Sequence, residues 1–220
     1  MVPPMFSSDR QEPKVIVTDL AAQRGGRLIF RGLSFTAEAG EAVMVAGPNG
    51  SGKSTLLRLL AGLAQPDAGS LTRLPPENDG LRFAGHRDGL KSGLTVEENL
   101  SFWSAIYDAP EGSVVKAIDR FALSRVSDMP VDVLSAGWRR RAGLARLILG
   151  SAPLWILDEP YTALDKDNVS RIDGILSEHI ANGGIVILAT HQSPGFETSQ
   201  TVDMATYEAT YQALADEVLW

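Results

Sequence analysis

Residues Gly47 to Thr55 read GPNGSGKST: a glycine, four residues, then Gly52-Lys53-Ser54. That is the P-loop spacing, and phosphate chemistry explains each residue type. A loop that wraps a polyphosphate must aim several backbone N–H groups at one anion. Gly47, Gly50 and Gly52 allow positive φ and close approach, with Pro48, Asn49 and Ser51 between them. Lys53 brings a compact positive charge to the β- and γ-phosphates, and Ser54 offers a hydroxyl to Mg²⁺. Thr55 starts a helix whose N-terminal dipole also favours the anion.

A second constellation closes LWILDEP, an apolar run ending in Asp158-Glu159. A carboxylate at the end of a buried strand beside a P-loop can hold the Mg²⁺ shell through Asp158. Glu159, one residue on, is placed to activate or orient a water at the γ-phosphate. THQ (Thr190–Gln192) ends another apolar run, GIVILATH, and puts His191 at a strand end.

These residues need a frame. EAVMVAG before the P-loop suits a buried strand, and TLLRLLAGLA after it has helical spacing to about Gly62. KVIVTDL, LSFTAEAG, SLTRL and LRFAG read as further strands, punctuated by Gly25-Gly26, Gly40-Glu41 and Pro66–Gly69. Strand character then fades. Thr95-Val96-Glu97-Glu98 is a capping box opening a helix with Leu100, Trp103 and Ile106-Tyr107 on its apolar face. A second helix is expected over 112–122, and a third after Ser135 through RRRAGLARLIL. A helix over 167–182, stopped by Asn182-Gly183-Gly184, precedes GIVILATH. Tyr207, Tyr211, Leu214 and Val218 give a helical tail from about 203, and residues 1–13 read as a flexible arm. Buried strands alternating with helices predict a mostly parallel sheet covered on both faces.

Composition narrows the classes. The chain has 220 residues, is 44% hydrophobic, and carries a net charge of −7, which disfavours nucleic acid and anionic membrane surfaces as partners. It contains no cysteine, so disulfides and thiolate metal sites are excluded, and a reducing cytosol is compatible. No apolar run approaches the roughly 18 residues of a membrane span, and no signal peptide is expected. Any action at a membrane would need another polypeptide to hold the chain there. Arg139-Arg140-Arg141 reads as a solvated helix face, and His179 as a solvated helix residue.

With GPNGSGKST, LSAGW (Leu134–Trp138), LWILDEP, TALD (Thr162–Asp165) and THQ in this order, the chain resembles the ATP-binding-cassette (ABC) ATPases over about residues 14–195. The resemblance implies an α/β P-loop NTPase fold of ABC type. It has a mostly parallel sheet core, an antiparallel β subdomain and a helical insertion at about 87–150, all within one domain over 14–220. ATP and Mg²⁺ are the implied ligands. Leu134, Ser135, Ala136 and Gly137 match the family signature, which binds the γ-phosphate held by a second subunit. The expected assembly is therefore a head-to-tail homodimer, with Asp165 at the contact and His191 as the switch histidine. Small residues at a helix N-terminus suit an anion site.

His86 and Arg24 depart from the family pattern. His86 falls where the family has a glutamine that offers oxygen to Mg²⁺ or the water. Neutral histidine can accept there through one nitrogen and protonated histidine cannot, so turnover is expected to be acid-sensitive. Arg24 stands where many members stack an aromatic on adenine, which a guanidinium can also do. Trp138 replaces a common glutamine of the signature.

Within the family, FAGHRDGLKSGLTVEENLSFW, LSAGWRRRAGLARL and LDEPYTALD resemble the ATP-binding subunits of Ccm-type haem exporters in cytochrome c maturation. That implies an integral permease partner and a peripheral position at the cytoplasmic face of the inner membrane. With no cysteine and only His86, His179 and His191, no direct haem binding is expected, and the negative charge predicts no nucleic-acid binding. Export of another cargo, or a soluble ABC ATPase acting on nucleic acid or the ribosome, are the competing readings. Phe102 and Trp103 are candidates for the permease contact or for the core.

Overall fold

The computed structural model describes residues 12–74 and 80–207. The first eleven residues of the expected arm, and the tail positions Tyr211, Leu214 and Val218, lie outside the described residues. In chain order the elements are β1 (Lys14–Arg24), β2 (Arg27–Glu38), β3 (Ala42–Ala46), α1 (Lys53–Leu60), β4 (Ala68–Leu74) and β5 (Leu81–Ala84). They continue with α2 (Val96–Ile106), α3 (Ser113–Arg120), α4 (Ala136–Ala145), β6 (Leu154–Asp158), α5 (Lys166–Ala181), β7 (Ile185–Ala189) and β8 (Gln200–Asp203).

Two sheets result. β2-β1-β4 is antiparallel, and β5-β6-β7-β3-β8 is parallel throughout. The first hairpin is longer than the runs KVIVTDL and LSFTAEAG suggest. Gly25 and Gly26 both have positive φ, which suits a two-residue hairpin loop, so pairing continues to Arg24↔Arg27. A register shift after Val17, with Asp19 at φ 49, admits the extra polar residues.

The central strands β6 and β7 are buried on both faces, and their period of two divides the core. Trp155, Leu157, Val186 and Leu188 pack with α5 and the helical block. Leu154, Ile156, Ile185 and Ile187 point the other way, onto Leu56, Leu57, Leu59 and Leu60 of α1 and onto the antiparallel sheet. The helix after the P-loop is thus clamped between the two sheets, which fixes the loop at its start.

Two predicted helices are corrected. The helix after Ser135 stops at Ala145 and tightens into a 3₁₀ turn, Arg146–Ile148, because Leu149 is extended and Gly150 takes φ 70. The tail does not open as a helix at 203. Gln200–Asp203 forms β8, the edge strand beside β3, followed by a 3₁₀ turn at Met204–Tyr207. Four residues are too few to show a period, so β8 is defined only by its partner.

The capping box is present as read. Glu98 N–H donates to Thr95 Oγ1 at 3.1 Å, and Thr95 N–H donates to Glu98 Oε2 at 2.8 Å. Trp103 packs against the helical core and donates from Nε1 to Gly89 O at 3.0 Å, whereas Phe102 stays exposed.

Candidate active site

The P-loop leaves β3 and re-enters at α1, whose N-cap is Gly52 at φ 99 with no side-chain cap. The first N–H groups of the helix are therefore left for an anion rather than for a capping side chain. Gly52 has no room for a side chain, since a Cβ there would lie 2.5 Å from Ile29 Cγ2. Lys53 is buried, and its Nζ donates to Gly47 O at 2.7 Å and Pro48 O at 3.0 Å, which holds the ammonium over the loop. Ser51 is buried with its Oγ unpartnered, an orphan donor under the same loop.

A cleft of about 310 Å³ opens beside the loop. It is lined by Arg24, Ile29, Asn49, Gly50, Gly52, Lys53, Ser54, Thr55, His86, Asp158 and Glu159. Residues from four separated stretches thus meet at one site. Gly47, Pro48 and Ser51 belong to the loop but do not line the cleft. Arg24 is exposed at the hairpin turn and also reaches the cleft rim next to Ile29. Ile29 is an addition the sequence reading missed: it is one residue of an ordinary strand, and only the packing of β2 over Gly52 brings it there.

Asp158 is buried at the end of β6, and Glu159 follows with φ 50. For a residue with a Cβ this left-handed conformation costs about 1–2 kcal/mol. It is held partly by Glu159 N–H donating to Ala189 O at 2.8 Å. His191, just past β7, sets Nε2 3.5 Å from Glu159 Oε1 and 3.1 Å from Asn49 Oδ1. A buried carboxylate anchors the segment carrying this histidine. Asp173 accepts from Tyr161 Oη at 2.5 Å and from Gly195 N–H at 3.0 Å. Burial, the Asp173 hydrogen bond and that carboxylate's charge push the Tyr161 phenol well above its usual range.

The signature residues lie outside this cleft. Ser135 is the N-cap of α4, its Oγ accepting from Trp138 N–H at 3.5 Å. Ser135 and Ala136 are exposed and Leu134 is buried. Gly137 is pressed against the loop after Glu159, where a Cβ would meet Ala163 O at 2.8 Å. A smaller cavity of about 120 Å³ joins Ala136 to His86, Glu159 and Ala163. Asp165 is exposed and caps α5, accepting from Asn168 N–H at 2.9 Å, a role the sequence reading did not assign.

Two readings of basic residues are overturned. Arg140 and Arg141 are buried rather than forming a solvated face, and Arg139 is half-buried with Nη1 on Leu134 O at 2.8 Å. Arg141 caps the end of α3 through Phe121 O and Ala122 O and lies over the Trp138 ring at 3.8 Å. Arg140 donates to backbone carbonyls beside the cleft. Short runs of arginine look alike in sequence whether they face water or carbonyls. His179 is not solvated either. Its ring stacks on Trp155 at 3.7 Å with Nε2 3.2 Å from Pro153 O, and burial depresses its pKa to about 4.

The model of the ABC transporter family matches residues 30–162. The chain belongs to the ABC transporter family. It is 44% identical over 200 residues to the Cytochrome c biogenesis ATP-binding export protein CcmA of Ruegeria pomeroyi, covering 91% of this chain and 95% of that protein. The proteins of the same name from Rhodospirillum rubrum and Rhizobium meliloti are 45% and 42% identical, covering 87% and 88% of this chain and 86% and 99% of theirs. These relatives bear out the resemblance to the Ccm-type ATP-binding subunits. The fold matches a putative ABC transporter ATP-binding protein from Pyrococcus furiosus, with TM-score 0.78 at 22% identity over 89% of this chain and all of that one. It also matches a dimeric ATP-binding cassette solved in a post-hydrolysis state with ADP and Pi, with TM-score 0.72 at 22% identity over 81% and 88%. No helix among the described residues is long and apolar enough to cross a membrane.

Proposed function

We propose that the chain is the ATP-binding and ATP-hydrolysing subunit of the exporter that serves cytochrome c biogenesis, with haem as the cargo class. The observation that carries the reading is the convergence of Lys53, Ser54, Asp158, Glu159 and His86 on one cleft, in a chain so similar to ATP-binding export proteins of that process. It acts as a peripheral subunit at the cytoplasmic face of the inner membrane, held by an integral permease partner.

The chain's own residues divide the work. Lys53 and the N–H groups at the start of α1 bind and orient the phosphates, neutralising charge where it builds up at the γ-phosphate. Glu159 accepts a proton from the attacking water, and His191, within reach of both Glu159 and Asn49, holds that carboxylate and the water in register. The site suits Mg²⁺ arriving with the nucleotide. Ser54 and Asp158 present oxygen donors, with His86 beside them, and no cluster of three or more His, Cys, Asp or Glu among the described residues could hold a metal alone. Bound there, Mg²⁺ would spread the charge of the β- and γ-oxygens.

We assign the signature to a second copy. Ser135 and Ala136 are exposed and stand outside the cleft of their own chain, which supports a head-to-tail homodimer sandwiching ATP. Asp165, exposed after Ala163, is assigned to the same contact. ATP binding closes the dimer, hydrolysis reopens it, and the permease follows.

Affinity purification of the tagged chain from membranes of its source tests the reading. Recovery with a polytopic membrane protein is expected, together with loss of holocytochrome c assembly in a deletion strain that Lys53→Ala fails to restore. Recovery with ribosomes alone would overturn it. Glu159→Gln should retain ATP binding, lose about 100-fold or more in turnover and accumulate as dimer. Unchanged turnover would remove Glu159 from its role.

A further inference from the structure

Arg140 is 5% exposed and sits in α4, one turn past the signature. Its guanidinium makes five contacts. Nη2 donates to Asp158 O at 2.7 Å and Glu159 O at 2.8 Å, and Nε donates to Pro160 O at 3.3 Å. Nη1 donates to Gly85 O at 2.9 Å and to Asp88 Oδ1 at 3.1 Å, the last as an ion pair. Arginine carries five N–H donors in a rigid planar fork, so the inventory is fully used. Lysine, a point charge with three donors, cannot bridge carbonyls on two separate segments in one plane.

The segments joined are those that matter for hydrolysis. Three successive carbonyls, 158 to 160, carry the peptide planes on either side of Glu159, whose φ of 50 an unsupported chain would relax. Gly85 and Asp88 flank His86. The helix that carries the fork starts at Ser135, the residue assigned to a second copy's nucleotide. We propose that Arg140 is a positioning residue for hydrolysis: it fixes the backbone from which Glu159 projects and locks that backbone to the His86 loop and the signature helix. Displacement of α4 is then transmitted to the carboxylate of the same chain. The inference rests on the reading of Glu159 as the water-activating group.

The test is a double-mutant cycle on the full-length chain, with steady-state and single-turnover ATP hydrolysis, ATP binding and thermal unfolding measured together. Arg140→Lys is expected to lower kcat at least about 10-fold while KM for ATP stays within about twofold. In the Glu159→Gln background the same substitution should change the residual rate by less than about twofold, because Arg140 acts through Glu159. Asp88→Asn removes only the ion pair and keeps the four carbonyl contacts, so it should give a smaller loss, again in kcat alone. It serves if Arg140→Lys does not fold. Parental kcat in Arg140→Lys, losses that multiply across the cycle, or an Asp88→Asn effect confined to KM would each overturn the proposal. Parental turnover in Glu159→Gln would instead overturn the role of Glu159. Parental turnover in Arg140→Lys beside an inactive Glu159→Gln overturns Arg140 alone.

Discussion

His191 Nε2 lies 3.1 Å from Asn49 Oδ1, across 142 residues of sequence, and 3.5 Å from Glu159 Oε1. One imidazole therefore touches both the phosphate loop and the candidate base. His191→Ala removes both contacts without touching the buried core, since His191 is exposed. We expect kcat to fall about 100-fold and ATP affinity to change little, as for a group needed only in the transition state. Steady-state hydrolysis with a separate nucleotide-binding assay distinguishes the two.

Lys53→Ala takes a charge out of the phosphate site and removes the ammonium donor from the carbonyls of Gly47 and Pro48, the second of which keeps Ser51 N–H at 3.3 Å. One charge-assisted contact is worth roughly 1.5–3 kcal/mol, so ATP affinity should drop at least about tenfold. Equilibrium binding of ATP by titration calorimetry checks this, and tight binding in the variant would count against the phosphate-cradle assignment.

Thr95→Ala dissolves the capping box of α2 and strands the N–H of Glu98. Loss of such a cap costs about 1 kcal/mol. A lower denaturant midpoint with unchanged ATP turnover is expected, because no residue of α2 lines the cleft.

His179 gives the protein an acid limit. Burial against Trp155 depresses its folded pKa to about 4, below its unfolded value, so the unfolded chain binds the proton more readily. Its contribution is fully present above about pH 6.5 and is lost as pH falls toward 4. His179→Phe keeps a ring on Trp155 and cannot charge. Between pH 6.5 and 4 its unfolding free energy should fall less steeply than that of the parent, measured by urea titration at a series of pH values.

The motifs specify the chemistry through residue type and spacing alone. GPNGSGKST, Asp158-Glu159 and His191 carry residue types that phosphate binding and water activation demand. Apolar runs before each of them predicted the parallel sheet that holds them. The capping box was legible because its two hydrogen bonds lie within four residues. β8 was not, since its only support is the neighbouring strand. Nor were the arginines: Arg140 differs from an exposed arginine only in what folds over it.

The sequence by itself therefore determined the P-loop, the carboxylate pair, the order of strands and helices as far as β7, and the ABC family. Each of these is written in local spacing, set by the period of a strand, the turn of a helix or the reach of a loop. Only the tertiary structure decided that Ile29 borders the cleft, that His191 meets Asn49, that His179 stacks on Trp155, and that Arg140 binds the carbonyls beneath Glu159. These contacts join residues distant in the chain. Their existence depends on how two sheets and a helical block pack, which no single stretch of sequence specifies.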